Sequence, residues 1–394
     1  MSINFEEYIS SKYPQLSDTA FLDYNFTAPI STSQIQKIKS LSQKLIPSPH
    51  SSEEQSDFDR TISLLRSKIA ELFSTNLINY SVILFQNREA AIDEIFESFP
   101  WNNGSHYIIH PNFDKNIKLL ESTFNFAYAS GANQILKESK DFTKDIKSVT
   151  KSGAHSLLLT SFYDNQESLD ISKQYLKQGF GVHHVLFDAT SAAPFHYPNL
   201  STNSFDFVLL SFKKICGIDL CALLVKLQSA EQLKPQFYGG GAVAFSCARS
   251  LVHRNFKSHT KRFENGTPLL LSIFASYEGL VDLTKFINSE ITFSEESTAN
   301  LSEKIDQLMT KMVDQINQLQ QNIKCEIDQW AKKVTINFED EKFADAKMMQ
   351  VKYIENRVIV GVNANNHICA SFGFGVRDSD VDHFIEATKN ILSL

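Results

Sequence analysis

Residues 205–217 read FDFVLLSFKKICG. A run of Phe, Val and Leu long enough for a strand stops at Ser211 and gives way to Lys213, Lys214 and Gly217. Apolar at successive positions, it has the pattern of a strand buried on both faces. Lysine is almost never buried without a partner, so the two ammonium groups at the strand's end need an explanation. In one account both side chains reach water at the rim of a sheet. In the other, one amine is desolvated and forms a Schiff base with a carbonyl cofactor.

The surrounding chain has the alternation that such a strand requires. Strand-like runs at 81–85, 106–109, 156–161, 185–188, 205–211 and 221–225 are interleaved with helical or irregular segments. A further strand is expected at 124–128. Ser51 and Glu54 form a capping box ahead of Phe58, Ile62, Leu65, Ile69 and Leu72, which follow at helical spacing. Helices are also expected at 89–99 and near 115–122. Strands alternating with helices build an α/β fold, a mainly parallel sheet flanked by helices. The runs at 185–188 and 205–211 lie too close for a full helix between them, so a loop joins them.

Beyond Gly279 the pattern changes. Leu301, Ile305, Leu308, Met312, Ile316 and Leu319 stripe one amphipathic helix over 297–322. Strands follow at 334–338, 358–362 and 368–372, then a closing helix over 378–392 capped by Asp378 or Ser379. This is a smaller C-terminal α+β domain of about a hundred residues. The expected division is 1–285, an N-terminal segment with the large domain, and 286–394, the small domain.

A formal charge of −7 over 394 residues leaves no footprint for nucleic acid or an anionic membrane. There is no apolar run of 18 residues, and the start, MSINFEEYIS, is acidic and polar, so neither a membrane span nor a targeting peptide is expected. The five cysteines are odd in number, scattered and without a CxxC pair. That pattern predicts reduced thiols in a cytoplasmic protein. His50, His106, His110, His183 and His184 have no ligand spacing, so no metal site is expected.

Several polar residues stand at predicted strand ends, where open α/β sheets bind ligands. Asp188 is either a turn residue or a buried carboxylate able to hold a proton on a pyridine nitrogen. Ser211 could donate to a phosphate, and Asn165 has an amide suited to a ring hydroxyl. Asn87, Arg88 and Glu89 sit at a strand-to-helix junction, where free backbone amides favour an anion. Arg88 would strengthen such a site. Two loops, Tyr238-Gly239-Gly240-Gly241 and Arg262-Phe263-Glu264-Asn265-Gly266-Thr267-Pro268, are either linkers or segments brought close to a ligand. Neither GxxxxGK[ST] nor GxGxxG occurs, which disfavours nucleotide binding.

Taken in order, FLDY at 21–24, PHS at 49–51, ESFPW at 97–101, Asp188-Ala189, SFKKICG at 211–217, YGGG at 238–241, RFENGT at 262–267 and SFG at 371–373 form a recognisable set. The chain resembles the pyridoxal-phosphate domain of molybdenum cofactor sulfurases and, more broadly, class V aminotransferases and cysteine desulfurases. The resemblance implies a PLP-dependent transferase fold of type I, with pyridoxal 5'-phosphate as cofactor. It places the Schiff base on Lys214, Asp188 on the pyridinium nitrogen, Asn165 on the ring hydroxyl and Ser211 on the phosphate. Asn87 and Arg88 stand in the phosphate turn, and Asn112 takes the place of the residue stacked on the ring. Thr267 reaches the phosphate from a partner subunit, which implies a homodimer acting on a small amino-acid substrate. The sulfurases' additional C-terminal module is not expected in this chain.

The departures from the family pattern matter as much. The phosphate turn, of Gly-Ala-Thr type in relatives, is Asn87-Arg88-Glu89. The arginine expected just before Ser371, a bidentate clamp for a substrate carboxylate, is Cys369. The loop that carries a persulfide cysteine is shortened to residues 362–366 and holds no cysteine. Cys369 falls inside a predicted strand, where a buried thiol is inert. Two readings remain open: a PLP-dependent enzyme performing C–S cleavage, sulfur transfer or transamination, and a catalytically degenerate homologue that binds cofactor or a partner. A scaffold subunit for another sulfur-transfer protein is a third.

Overall fold

Phe207 and Leu209 enter the core on one face of a sheet, while Val208 and Leu210 enter it on the other. That is why β7 (Phe207–Ser211) is apolar at successive positions. The structure is a computed structural model that describes residues 5–43, 56–110, 113, 121–136, 154–161, 165–177, 182–236, 239, 242–247, 252–255, 258–266, 268–287, 295–319 and 322–393.

The sheet around β7 has seven strands in the order β2-β8-β7-β6-β5-β3-β4. Its other members are β2 (Tyr80–Phe85), β3 (His106–Ile109), β4 (Asn133–Leu136), β5 (His155–Ser161), β6 (Val182–Asp188) and β8 (Cys221–Lys226). β4, β3, β5, β6 and β7 are mutually parallel; β8 runs antiparallel to both β2 and β7. Only nine residues separate β7 from β8, and a parallel return needs a crossover of a dozen or more. The expected mainly parallel sheet is therefore present, with one reversed strand.

The helix at the capping-box segment is present as Ser56–Leu72, although Ser51 and Glu54 lie outside the described residues. The helix expected at 89–99 is Arg88–Ser98. Most of the helix expected near 115–122 also lies outside the described residues. The strand expected at 124–128 is a correction: these residues belong to the helix Glu121–Ala129. Thr123, Phe124 and Ala127 are buried while Tyr128 is exposed, a spacing of three to four that only a helix presents. The edge strand in this region is β4, seen only in the structure. A hairpin of β9 (Val243–Cys247) and β10 (Val252–Asn255) was likewise not anticipated.

A second, five-stranded sheet has the order β1-β13-β14-β12-β11. Its strands are β1 (Ala20–Leu22), β11 (Ile323–Asp328), β12 (Lys333–Phe338), β13 (Val358–Val362) and β14 (Ile368–Ser371). β1 pairs in parallel with β13, so the N-terminal segment completes a sheet otherwise made by the C-terminal third. The helix Glu295–Asn317 buries Leu301, Ile305, Leu308, Met312 and Ile316. β11 and the helix Ala346–Glu355 were not anticipated. The closing helix, Asp378–Leu392, is capped by neither Asp378 nor Ser379: Arg377 is the N-cap, and its backbone N–H donates to Asp380 Oδ2 at 2.8 Å. No helix among the described residues is long and apolar enough to cross a membrane.

Candidate functional site

Strand register gathers the predicted residues on one edge of the large sheet. Phe85, Cys221 and Ser211 stand opposite one another across β2, β8 and β7. Ser161, Asp188 and Leu209 stand opposite one another across β5, β6 and β7. Leu209 precedes Ser211 by two residues, so Asp188 lies about 7 Å from the level of Ser211 along the strand direction. The carboxyl ends of β2, β5, β6 and β7 thus share the edge at which open α/β sheets bind ligands.

Lys213 and Lys214 leave β7 in the short helix Lys213–Cys216 and separate at once. The Lys213 side chain is 40% exposed, pairs with Asp219 at 3.1 Å and lies over the Phe26 ring. It is a solvated rim residue. Lys214 turns into the cleft, where Nζ donates to Asn25 Oδ1 at 3.1 Å. Burial pushes its ammonium down from 10.5 to about 8. The Asp188 carboxylate opposes that shift, whereas Lys333 and Arg88 reinforce it.

Gly217 makes this turn possible. Its φ is +73°, and a Cβ there would stand 2.4 Å from the carbonyl oxygen of Ala28. Only glycine permits both the left-handed backbone and the close approach. The N-terminal segment is thereby laid against the turn: the Ala28 N–H donates to the Lys213 carbonyl at 2.8 Å. Asn25 donates from its backbone to Ser371 Oγ at 2.7 Å, which ties the partner of Lys214 to the second sheet. Asp23 follows β1 and bridges to Ser371; burial raises its carboxyl to about 6.

Asp188 ends β6 and is buried. Its Oδ1 accepts from the Thr190 N–H at 2.9 Å and its Oδ2 from Arg88 Nε at 2.6 Å. Arg88 opens the helix Arg88–Ser98, whose N-cap is Asn87; the Asn87 side chain accepts from the Ala90 N–H at 2.8 Å. The sequence suggested that Arg88 would serve an anion at this helix end; in the fold its guanidinium is turned onto Asp188. Ser211 Oγ accepts from the Lys213 N–H at 3.3 Å and is half-buried. Asn165 is the first residue of the helix Asn165–Leu176 that follows β5. Asn112 and Thr267 lie outside the described residues.

The Arg262–Gly266 segment has a structural role at the neighbouring strand end. Glu264 accepts two hydrogen bonds from Arg66 and one from the Leu84 N–H, and Asn265 Oδ1 accepts from the Gly239 N–H at 2.8 Å. Cys369 is buried on β14, and burial pushes its thiol up. The β13–β14 link is a tight turn in which the Asn363 N–H donates to the His367 carbonyl. Sequence reasoning missed Asn25, Thr190 and Lys333. Asn25 directly follows the FLDY motif, which was the available signal; nothing in the sequence singled out Lys333.

A family model described as "Aminotransferase class-V" matches residues 168–384. Among curated proteins, the molybdenum cofactor sulfurase of Drosophila grimshawi is 26% identical over 314 residues, covering 71% of this chain and 39% of that protein. The chain thus spans about two fifths of the length of the curated relatives it matches first. Among solved structures, the apo cysteine desulfurase of Thermococcus onnurineus NA1 matches with a TM-score of 0.79 at 12% identity, covering 100% of this chain and 99% of that one. The Escherichia coli cysteine desulfurase CsdA matches at 0.77 and 14% identity, with coverage of 100% and 99%. At these identities the structural likeness shows the fold alone.

Proposed function

Because this chain belongs to the aminotransferase class-V family, we propose that it holds pyridoxal phosphate on Lys214 and acts on a small amino acid. C–S bond cleavage, sulfur transfer and transamination are the reactions within its reach. The observation that carries the reading is Lys214 itself, an amine lowered to about 8 by burial at the carboxyl edge of the sheet.

The donor set fits the cofactor at its reactive end. An amine near 8 has an appreciable neutral fraction at neutral pH and is a competent nucleophile toward a carbonyl. A buried carboxylate one strand away suits a ring nitrogen. Ser211 and the N-terminus of the helix Arg88–Ser98 stand level at the same edge and would hold the phosphate. When bound, the cofactor supplies an electron sink for charge developing on a substrate carbon.

The chain's own residues then have distinct tasks. Lys214 Nζ carries a proton to and from the substrate, and its value near 8 lets it both accept and release that proton near neutral pH. Asn25 aims Nζ and is itself held by Ser371. Thr190 and Arg88 fix the plane of the Asp188 carboxylate.

A homodimer belongs to the same proposal, in keeping with Leu269 and Leu271, large apolar side chains left 39% and 42% exposed a few residues after the Asn265-Gly266 turn. So do a cytoplasmic location, in keeping with the free thiols of Cys216, Cys221, Cys325 and Cys369, and a division into domains at 1–285 and 286–394, with β1 lent to the second sheet. A second reading, a degenerate homologue that binds cofactor without desulfurase turnover, is favoured by Cys369 in place of the expected arginine.

Borohydride reduction of the purified protein tests the proposal. The expected result is a pyridoxyl group fixed on the peptide that contains Lys214, absent from Lys214→Ala. A protein that takes up no added cofactor refutes it.

A further inference from the structure

Lys214 borders a small cavity that Asp188, Ser211 and Asn87, the residues suited to a ring nitrogen and a phosphate, do not line. Its walls include Ala193, Pro194 and Phe195 from the loop after β6, with Ala331 and Phe372, which flank β12 and β14 of the second sheet. At no more than about 270 Å³ it is smaller than most small-molecule sites. Among the described residues that line it, Lys214 alone carries a charge. The space suits a compact, uncharged side chain.

Lys332 meets this wall at three points without lining the cavity itself. It is joined to Ala331, its carbonyl accepts from the Phe372 N–H at 2.7 Å, and its Nζ lies 5.9 Å from the centre of the Phe195 ring. The ammonium is held in turn by Asp306 on the helix Glu295–Asn317, at 2.8 and 2.9 Å from the two carboxylate oxygens. The Lys332 side chain is 2% exposed and that of Asp306 32%. An ammonium so deeply buried is costly unless it is paired, so the carboxylate decides where Lys332 can stand. Its backbone has φ of +48°, a left-handed conformation that a residue with a side chain keeps only where its surroundings fix it.

We propose that the Lys332–Asp306 pair sets substrate specificity: it holds Ala331, Phe195 and Phe372 against the Lys214 cavity and so restricts the substrate to an amino acid with a compact, uncharged side chain. This rests on the reading that Lys214 holds pyridoxal phosphate and acts on a small amino acid. Lys332 is a positioning residue that acts through Ala331 and the two phenylalanines. A closely fitted apolar pocket distinguishes side chains one methylene apart by about 10–200-fold, and a wall free to shift forfeits part of that discrimination.

The test uses the intact protein loaded with pyridoxal phosphate. The cofactor's absorbance is titrated with L-alanine, L-phenylalanine and L-glutamate in wild type, Lys332→Met and Lys332→Arg. The wild type is expected to respond to L-alanine at the lowest concentration. In Lys332→Met the ratio of the L-phenylalanine half-saturation point to that of L-alanine falls by on the order of tenfold; Lys332→Arg restores part of it. A role in stability alone would leave that ratio unchanged. Should Lys332→Met not fold, Lys332→Met/Asp306→Asn, which removes both charges, carries the same expectation. An unchanged ratio in a folded variant overturns the inference and leaves cofactor binding intact. So does a wild type that prefers L-phenylalanine or L-glutamate, or that responds to none of the three. Failure of borohydride to fix cofactor on wild-type Lys214 removes the binding reading, and this inference with it.

Discussion

Replacing Lys214 by Met should make the cofactor-free protein more stable at neutral pH, although the same change removes its proposed function. Burial lowers the amine from 10.5 to about 8. Holding it charged in the folded state at pH 7 then costs up to roughly 3 kcal/mol. Lys214 is half-buried, so solvent screening reduces that ceiling. Met also forfeits the hydrogen bond to Asn25, about 1 kcal/mol. The net expectation is a gain of about 1–2 kcal/mol, as when a site built for chemistry gives up its strain.

The pH dependence identifies the cause. Below about 8 both folded and unfolded chains hold the Lys214 proton, and the full penalty is felt. Between 8 and 10.5 the folded chain sheds the proton while the unfolded chain keeps it, so wild-type stability rises with pH relative to the variant. Urea midpoints of both proteins at steps from about pH 7 to pH 10 give the measurement. A variant less stable than wild type at pH 7 refutes the argument, as does a gap that stays constant up to pH 10.

Two further outcomes are expected. Incubation with L-cysteine gives no desulfurase turnover through a protein-bound persulfide, because the β13–β14 turn holds no cysteine and Cys369 is buried with its thiol pushed up; sulfide release that is abolished in Cys369→Ala would restore the desulfurase reading. Gly217→Ala destabilises the protein by about 2–4 kcal/mol, through its positive φ and the clash with Ala28, and also loosens the Lys214 turn; an unchanged melting temperature contradicts this account of the turn.

Much of the fold could be inferred from periodicity, because a parallel sheet covered on both faces demands apolar runs separated by helical spacing. β7, β6 and β5 follow that rule, and so does the stripe on the helix Glu295–Asn317. The failure at 124–128 has a definite cause. Phe and Tyr favour strands when read one by one, but the segment buries residues three and four apart. The reversed direction of β8 follows from a link too short for a crossover, a geometric constraint that hydropathy does not encode.

For the site, the sequence by itself determined which residues stand at strand ends: Asp188 closing β6, Ser211 closing β7, and Lys213 and Lys214 just beyond it. Periodicity could not say which lysine meets water, although the family resemblance assigned the cofactor to Lys214, and nothing in the sequence said where Arg88 points. Those answers depend on segments far apart in the chain. Asn25, brought in by the pairing of β1 with β13, receives Lys214, and Gly217 leaves room for that segment to approach. Arg88 and Asp188 lie 100 residues apart and meet because β2 and β6 end at the same edge of one sheet. Side-chain direction and partnership in a cleft are set by these long-range contacts, and only the tertiary structure decides them.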